Sequence, residues 1–388
     1  MASTKKRHCA IVGVGEPKYE TIDTTSNYME LCLQSAKAAL ADSGLTKKDL
    51  DGLIFMRRGD IPLDFGTTFI EQTGLAPAYV DTYVGGGMPA CSPVFRAAWA
   101  INSGLAHNVL IVRGSVTLSK INREGLIKFK AQDAFDMQWE MPYGVFPPVW
   151  FGLMARRHMH EYGTTSRQLA QVAVTERQNA SRHPGAQMRE PITVDDVLNS
   201  RIIADPLHLL DICLISNGGG AVIVTAAENA RNFPKPPVYL RGYGQVSSSQ
   251  YLSGTAPRLM DYGHLAHTAK QAYNMAGVKP SDISVVFPYD PSTIAVIVGL
   301  EELGFCKKGE GGAFVEAGNI GINGKLPINP HGGLHSYRHY AFTLSSTIEA
   351  TRQLRHECGD RQVKNAELAL VAHEGGFVSH SVLIMGRD

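Results

Sequence analysis

Length, composition and charge limit what kind of protein this chain can be. Its 388 residues exceed one typical domain and predict one large globule of two packed halves. The 37 basic and 36 acidic residues nearly cancel, so the charge balance gives no indication of nucleic-acid binding. The six cysteines are scattered without a CxxC pair or a Cys/His cluster, and we expect neither disulfides nor a structural zinc.

The start of the chain gives no sign of a membrane segment or a nucleotide site. The apolar run 9–15 is interrupted by glycines and is too short for a signal sequence or a membrane span. Gly13-Val14-Gly15 lacks the third glycine of a dinucleotide fingerprint, and nothing resembles a Walker loop. We therefore expect a soluble, cytoplasmic protein without a nicotinamide cofactor.

Strand and helix patterns alternate along the first 114 residues. Apolar runs predict strands at 9–14, 50–56, 79–84 and 108–114, and periodic segments predict helices at 26–43, 67–73 and 91–103. Gly44 follows the first long helix as a natural C-cap. This alternation with short loops predicts a layered α/β fold rather than a β-sandwich.

The alternation stops between residues 115 and 164, where the chain is rich in aromatic residues and methionine. We interpret this stretch as an insertion that lines a substrate pocket or a dimer surface, with plain core packing as the alternative. A helix is predicted at 165–182, and Ser216-Asn217-Gly218-Gly219-Gly220 then precedes a β-branched run. The large apolar residues of the insertion are Phe129, Phe135, Met137, Trp139, Met141, Tyr143, Phe146 and Trp150.

Two segments of the chain look like versions of one unit. Residues 79–103 form an apolar strand, a glycine turn and a helix, and residues 325–355 form an extended segment, a Gly-Gly turn and a helix. This internal similarity predicts two pseudo-symmetric halves, 1–237 and 238–388, in a five-layered αβαβα fold.

The run from Asn329 to Tyr340 carries three histidines, two tyrosines and a Gly-Gly pair in twelve positions. It lies between an extended approach and a helix predicted to begin near Ala341. Such a junction combines several groups that can transfer protons, so we expect it to lie in the functional site.

The chain resembles proteins of the thiolase superfamily, in particular the branch of the sterol-carrier-protein thiolases. The resemblance covers essentially the whole length and implies the thiolase fold, an acyl-CoA substrate and a homodimer. It rests on four motifs in the right order: Ala10 to Gly15, Ala97 to Gly104, Ser216 to Val224, and Asn329 to His339.

The departures from the thiolase pattern concern the cysteines. A thiolase needs a nucleophilic cysteine at the start of the first central helix, and the matching position here is Gly87. The nearest thiol, Cys91, lies about one turn further on and reads as a displaced nucleophile or a small buried residue. The second thiolase cysteine is also missing, since the corresponding turn runs from Ala372 to Gly376. The thiolase histidine is retained as His339.

Retro-aldol cleavage is the chemistry that fits a thiolase fold without a nucleophile. It needs a general base, a general acid and an oxyanion hole, but no covalent intermediate. The resemblance extends to the aldolase branch, which cleaves β-hydroxyacyl-CoA side chains, notably of steroids, to a ketone or aldehyde and a short acyl-CoA. It implies a small partner with an OB-fold and a zinc ribbon. No metal and no cofactor beyond the coenzyme A of the substrate are expected.

The resemblance assigns catalytic roles to Tyr289, Tyr340 and His339. A phenol has an ordinary pKa of about 10, so we expect a histidine or a preorganised hydrogen-bond network to assist. The supporting candidates are His373, Gly375 and Gly376 at the second oxyanion hole, Gly87 as a backbone donor or a packing glycine, Cys91, and His331 and His335 as pocket or loop residues.

Two alternatives stay open. The first is a β-ketoacyl-CoA thiolase that uses Cys91, and the second is a non-catalytic subunit that binds acyl-CoA in a complex. The aromatic insertion suits a bulky apolar acyl group in each case.

Overall fold

The structure, a computed structural model, describes residues 9–22, 24, 27–57, 65–84, 91–116, 146–247, 264–340, 344–374 and 379–387. Its strands are β1 Cys9–Gly15, β2 Gly52–Arg57, β3 Tyr79–Val84, β4 Asn108–Val116, β5 Ile202–Ala204, β6 Leu207–His208, β7 Asn217–Ala226, β8 Val238–Ser247, β9 Val285–Phe287, β10 Leu368–Glu374 and β11 Ser379–Gly386. Its helices are α1 Tyr19–Ile22, α2 Tyr28–Ser43, α3 Phe65–Thr73, α4 Cys91–Asn102, α5 Pro147–Tyr162, α6 Ser166–Ala180, α7 Val194–Asn199, α8 Ala227–Ala230, α9 Leu265–Ala276, α10 Thr293–Glu302, α11 Gly311–Glu316 and α12 Ser345–Leu354.

The elements predicted from apolar runs and periodicity are confirmed within a few residues. Asn27 caps the start of α2 by accepting a hydrogen bond from the Met29 amide, and Gly44 ends the helix with a φ of 74°. The helix predicted near Ala341 begins at Ser345 as α12. Among the described helices, none has the length and apolar character needed to cross a membrane.

The predicted insertion differs from the expectation in its last third. Residues 117–145 lie outside the described residues, but residues 147–162 form the regular helix α5, in which two prolines occupy the first turn. Trp150 is 2% exposed and packs in a hydrophobic cluster, with Phe146 partly buried against it. These two aromatic residues therefore serve core packing, the alternative stated for the insertion.

Nine of the described strands form one sheet in the order β3-β2-β4-β7-β1-β8-β11-β10-β9. The two halves of this order correspond to each other. The parallel pair β2 and β4 in the first half corresponds to the parallel pair β10 and β9 in the second half. β7 and β11 also correspond, because each is antiparallel to both of its neighbours. The two halves meet where β1 pairs with β8 through Ala10 with Tyr239 and Ile11 with Val238. The division at residue 237 remains a prediction, and it falls between α8 and β8.

Three hydrophobic clusters define the layers. One lies between α2, α3 and the first half of the sheet, and another lies between α9, α10 and the second half. The third contains residues of both halves together with α4 and α12, for example Val94, Val222, Ile348 and Val371. Helices therefore lie outside each half of the sheet and between the two halves, which gives the order helix, half-sheet, helix, half-sheet, helix. The five-layered α/β fold is confirmed.

Candidate active site

The site lies at the carboxyl ends of two adjacent strands. β9 and β10 are parallel, with Phe287 opposite Val371, so the residues two positions further along each chain lie side by side. Tyr289 follows β9 by two residues, and His373 lies two residues beyond Val371. Their ring centroids are 5.3 Å apart. Register alone therefore brings together two residues separated by 84 positions in sequence.

The third member of this group is His339. Its ring lies 6.4 Å from the ring of Tyr289, centroid to centroid, at an interplanar angle of 77°. The main chain of His339 is fixed by Ser216, whose hydroxyl accepts a hydrogen bond of 2.9 Å from the His339 amide. Nδ1 of His339 lies 3.1 Å from Sγ of Cys213 and 3.1 Å from the carbonyl oxygen of Leu214. The ring of Tyr289 thus lies beside two imidazole rings.

His373 differs from His339 in its burial. Only 3% of it is exposed, and burial lowers the pKa of His373 to about 4. Its ring is therefore neutral at pH 7, and its Nε2 atom has no hydrogen-bond partner within the described part of the chain. A neutral imidazole with an unused nitrogen can donate or accept one hydrogen bond to a substrate.

Of two cavities among the described residues, one borders Tyr289 and His373 and the other lies away from them. A small cavity of about 10 Å³ borders Tyr289 and His373, and this volume is about that of one water molecule. A larger one of about 300 Å³ lies near the start of β8, beside Pro237 and Tyr239. Its lining contains none of the predicted site residues, so the proximity of Tyr289 and His373 identifies the site better than cavity size does.

The Gly-Gly pair determines how the 329–340 run enters the site. Gly332 and Gly333 have φ values of 105° and 60°, in the left-handed region. A Cβ on Gly332 would lie 2.4 Å from Cβ of Ala180 on α6, and one on Gly333 would lie 2.1 Å from Oδ2 of Asp290. Only glycine permits this close approach, after which residues 333–337 form a π-helical turn.

His335 anchors this turn through buried charges. Its Nδ1 atom forms an ion pair with Glu176 and lies 3.6 Å from Oδ2 of Asp290, while Nε2 lies 3.2 Å from the carbonyl oxygen of Asp211. Burial lowers the pKa of His335, but the two carboxylates outweigh burial and raise it well above the usual range. The imidazolium thus donates from both nitrogens. These are the contacts of a residue that holds a loop in place.

Glu176, Asp290 and His335 also offer ligand atoms within 4.8 Å of one another, a geometry that could hold a metal ion. Their hydrogen bonds already satisfy them, because Asp290 accepts from the Leu334 amide at 2.5 Å and Glu176 accepts from Asn329 at 2.8 Å. Burial and the charge of Asp290 raise the pKa of Glu176 to about 8, so a shared proton can balance the cluster. The hydrogen bonds and ion pairs of this group hold the 329–340 run against α6.

His331 lies deeper than the group around Tyr289. Its ring lies 5.7 Å from that of Phe287 and 5.0 Å from that of Tyr337, and burial lowers the pKa of His331. Neither ring nitrogen has a hydrogen-bond partner among the described residues. His331 is therefore a neutral residue of the loop interior.

Tyr340 packs against strand β7. Its ring packs against Gly218 and Gly220 of β7, and it is 1% exposed. Burial and then the charge of Glu16 raise the pKa of Tyr340 well above 10; Ser345 opposes this shift. Neither the Tyr340 nor the Ser345 hydroxyl meets hydrogen-bond geometry with a described group. Tyr340 thus keeps its phenolic proton at neutral pH.

Cys91 lies in the central core rather than in the site. Its Sγ is 3.5 Å from the carbonyl oxygen of Val371, and burial raises the pKa of Cys91 to about 12. A thiol of this kind is not ionised at neutral pH, which disfavours Cys91 as a nucleophile. Gly87, Gly375 and Gly376 lie outside the described residues, so their oxyanion roles remain predictions.

Sequence reasoning missed several residues that the structure places at the site. Asp290, Glu176 and Asp211 form the support of His335, and Cys213 contacts His339. Two of these residues are close in sequence to predicted motifs and could have been considered for that reason. Asp290 follows Tyr289 directly, and Cys213 lies three residues before Ser216.

The comparisons with known proteins agree with one another. Residues 244–387 match the family described as Thiolase C-terminal domain-like. The chain is 35% identical over 393 residues to a steroid side-chain-cleaving aldolase of Thermomonospora curvata, covering 98% of both chains. It is 33% identical to an acetyl-CoA acetyltransferase of Methanothermobacter thermautotrophicus, covering 95% of this chain and 97% of the relative. The solved structure of an Ltp2-ChsH2(DUF35) aldolase superposes with a TM-score of 0.87 and 33% identity, covering 98% of each chain.

Proposed function

Because the chain belongs to the thiolase superfamily, we propose that it is a lyase of the aldolase branch. It cleaves the bond between Cα and Cβ of a β-hydroxyacyl-CoA, with a steroid side chain or a similar bulky apolar acyl group. The products are a ketone or aldehyde and a short acyl-CoA. The similarity to the steroid side-chain-cleaving aldolase supports this substrate class. The observation that carries the proposal is the proximity of the Tyr289 ring to the rings of His339 and His373.

The reaction divides into proton movements that these groups can perform. A base takes the proton of the β-hydroxyl, the Cα–Cβ bond breaks, and its electron pair forms an enolate on the thioester. Protonation of Cα then gives the short acyl-CoA. Tyr289 acts as the base once its own proton has passed to a neighbouring imidazole. His373, with a pKa of about 4, does not hold that proton at neutral pH, so we assign its uptake to His339.

The remaining groups stabilise charge. A neutral His373 donates a hydrogen bond to the enolate oxygen, with the backbone of Gly375 and Gly376 as further proposed donors. Tyr340, whose phenol keeps its proton at neutral pH, is the proposed acid for Cα, and the proton taken up by His339 then restores the phenol of Tyr340 for the next turnover. No step uses a covalent intermediate.

A β-ketoacyl-CoA thiolase is the second candidate, and the similarity to an acetyl-CoA acetyltransferase supports it. A thiolase must form an acyl-enzyme on a thiolate. The buried Cys91, with its pKa of about 12, does not supply one. A non-catalytic acyl-CoA-binding subunit is the third candidate, and it predicts that Tyr289→Phe leaves the activity of the assembled complex unchanged.

One incubation separates the candidates. The full chain is mixed with β-hydroxyacyl-CoA and β-ketoacyl-CoA substrates, with and without its small partner protein. Release of ketone or aldehyde with a short acyl-CoA indicates an aldolase, whereas consumption of coenzyme A indicates a thiolase. Tyr289→Phe should lower kcat by about 100-fold or more, and the half-exposed Tyr162→Phe serves as the matched control. Loss of all cleavage in Cys91→Ala, or an acyl adduct on Cys91, contradicts the aldolase proposal.

We also propose two protein partners. The solved Ltp2-ChsH2(DUF35) neighbour supports a complex with a small partner protein, for which we propose an OB-fold and a zinc ribbon. A homodimer is supported by β3, which ends the sheet among the described strands, and by exposed apolar residues around it. These are Val80, Phe95, Trp99 and Leu105. The cytoplasm remains the proposed location.

A further inference from the structure

Cys213 occupies a position that the backbone fixes from two sides. Its amide donates to the carbonyl of Pro291, in the loop between Tyr289 and α10, at 3.1 Å. The next amide, of Leu214, donates to the carbonyl of Leu334 in the 329–340 run at 2.9 Å. The segment that carries Cys213 therefore links the two loops that hold Tyr289 and His339. The thiol is half-buried at the site, unlike the fully buried thiols of Cys32 and Cys91.

The contacts of His339 determine which of its nitrogens carries hydrogen. Nδ1 faces the carbonyl oxygen of Leu214 and the sulfur of Cys213, each at 3.1 Å. A carbonyl oxygen only accepts, so Nδ1 must be the protonated nitrogen, and it shares its hydrogen between the two acceptors. Nε2 is then the nitrogen that can take up a further proton.

We propose that Cys213 is a positioning residue for the reaction and acts through His339. Its sulfur and the Leu214 carbonyl hold the imidazole in the Nδ1–H form, and both accept from Nδ1 more strongly when Nε2 gains a proton. In a Ser-His-Asp triad the aspartate accepts a hydrogen bond from Nδ1 of the histidine and so orients the ring. Cys213 has the same role toward His339. This inference rests on the proposed function, because it needs His339 as the acceptor of the proton from Tyr289.

Three cysteine variants of the full chain test the inference. Cys213→Ala removes one acceptor and should lower kcat by about 10- to 100-fold with little change in KM, as expected for an orienting partner. Cys213→Ser keeps an acceptor atom and should recover most of this loss. Cys306→Ala, at the other half-buried cysteine, is the matched control and should leave kcat unchanged.

A second measurement is independent of turnover. Two-bond ¹⁵N–¹H correlation spectra of histidine-labelled protein report the tautomer of each ring, and His339→Gln identifies the His339 signals. The wild type and Cys213→Ser should show the Nδ1–H form. Cys213→Ala should show a fraction of the other form as well, because a ring that is held by the Leu214 carbonyl alone can turn away from it. Unfolding curves confirm that each variant is folded.

The outcomes separate the two proposals. An unchanged tautomer together with an unchanged kcat in Cys213→Ala overturns the role of Cys213 and leaves the lyase proposal intact. Full turnover in His339→Gln overturns the role of His339 in the reaction, whatever the tautomer spectra show. An acyl adduct on Cys213 in a mass spectrum of the enzyme with substrate overturns both, since the thiol would then be a nucleophile.

Discussion

The ring of Tyr340 fills the space left by the missing side chain of Gly218. A Cβ on Gly218 would lie 2.1 Å from Cδ1 and 2.6 Å from Cγ of Tyr340, closer than any real contact. The neighbouring Gly220 would place its Cβ 3.4 Å from the Tyr340 hydroxyl. The glycine run of β7 therefore has a packing function: it admits an aromatic ring between the sheet and α12.

The first prediction concerns this contact. Gly218→Ala should destabilise the protein by about 1–3 kcal/mol, because the ring of Tyr340 is buried and has no room to move. Urea unfolding monitored by circular dichroism measures the difference. Gly66→Ala on α3 is the control, since a Cβ there makes only ordinary contacts of 3.6 Å and more and improves helix propensity. Equal stability of the two variants contradicts the packing argument.

The second prediction separates the ring of Tyr340 from its hydroxyl. Tyr340→Phe keeps the packing against Gly218 and removes a buried hydroxyl that has no hydrogen-bond partner among the described residues. It should leave the free energy of unfolding unchanged or slightly higher, since an unpaired buried polar group is unfavourable. Turnover should fall by about 100-fold if the phenol is the acid proposed above. If Tyr340→Phe turns over at the wild-type rate, Tyr340 is a packing residue and not the acid.

The third prediction is a pH dependence of stability. Burial raises the pKa of Glu349, but the charge and hydrogen bonds of Arg361 outweigh it and lower that pKa to about 2. The two side chains bond in a bidentate manner, at 2.8 and 3.1 Å. Because the folded pKa lies below the unfolded one, this stabilisation of about 3 kcal/mol is complete above about pH 4.5 and is lost as pH falls toward 2.

The test compares Glu349→Gln with the wild type across that window. The variant should be less stable at pH 7 and should lose less stability between pH 4.5 and pH 2.5, measured by thermal unfolding. Glu228→Gln, at an exposed glutamate of α8, should follow the wild-type curve. Parallel curves for all three proteins would contradict the pKa assignment.

The fourth prediction addresses the proposed homodimer. Trp99 is 66% exposed on α4, next to the outer strand β3, where a second copy would cover it. Trp99→Glu places a charge in that interface and should shift the protein to a monomer, measured as a halved mass by light scattering. Met275→Glu, at a 48% exposed position on α9, should leave the mass unchanged. A monomeric wild type would overturn this part of the proposal.

The sequence was informative wherever one segment carries its own pattern. Apolar runs and caps predicted the strands and helices of the first half, because burial and capping act on neighbours in the chain. The proximity of Tyr289 and His373 was not predicted, because it depends on the parallel pairing of β9 with β10. Motif resemblance supplied His339, and the structure places it beside Tyr289.

The support of the site was not predictable in this way. Glu176 pairs with His335 across 159 positions, and Cys213 meets His339 across 126. No local rule favours these pairs, since they arise from the packing of α6 and of the 213–216 segment against a loop from the other half. The role of the glycines in β7 was hidden for the same reason, because Tyr340 lies far along the chain.

The symmetric strand order has a consequence for the history of the molecule. A sheet in which β1 meets β8 at the centre of a symmetric strand order is the arrangement expected from duplication of one unit within a single gene. Alone, either copy would expose the edge of its first strand and its share of the central core. Tyr289, His339 and His373 all follow residue 237, so the proposed proton transfers belong to the second half of the chain. The first half supplies Cys213 and Glu176, which hold the 329–340 run of the second half in place.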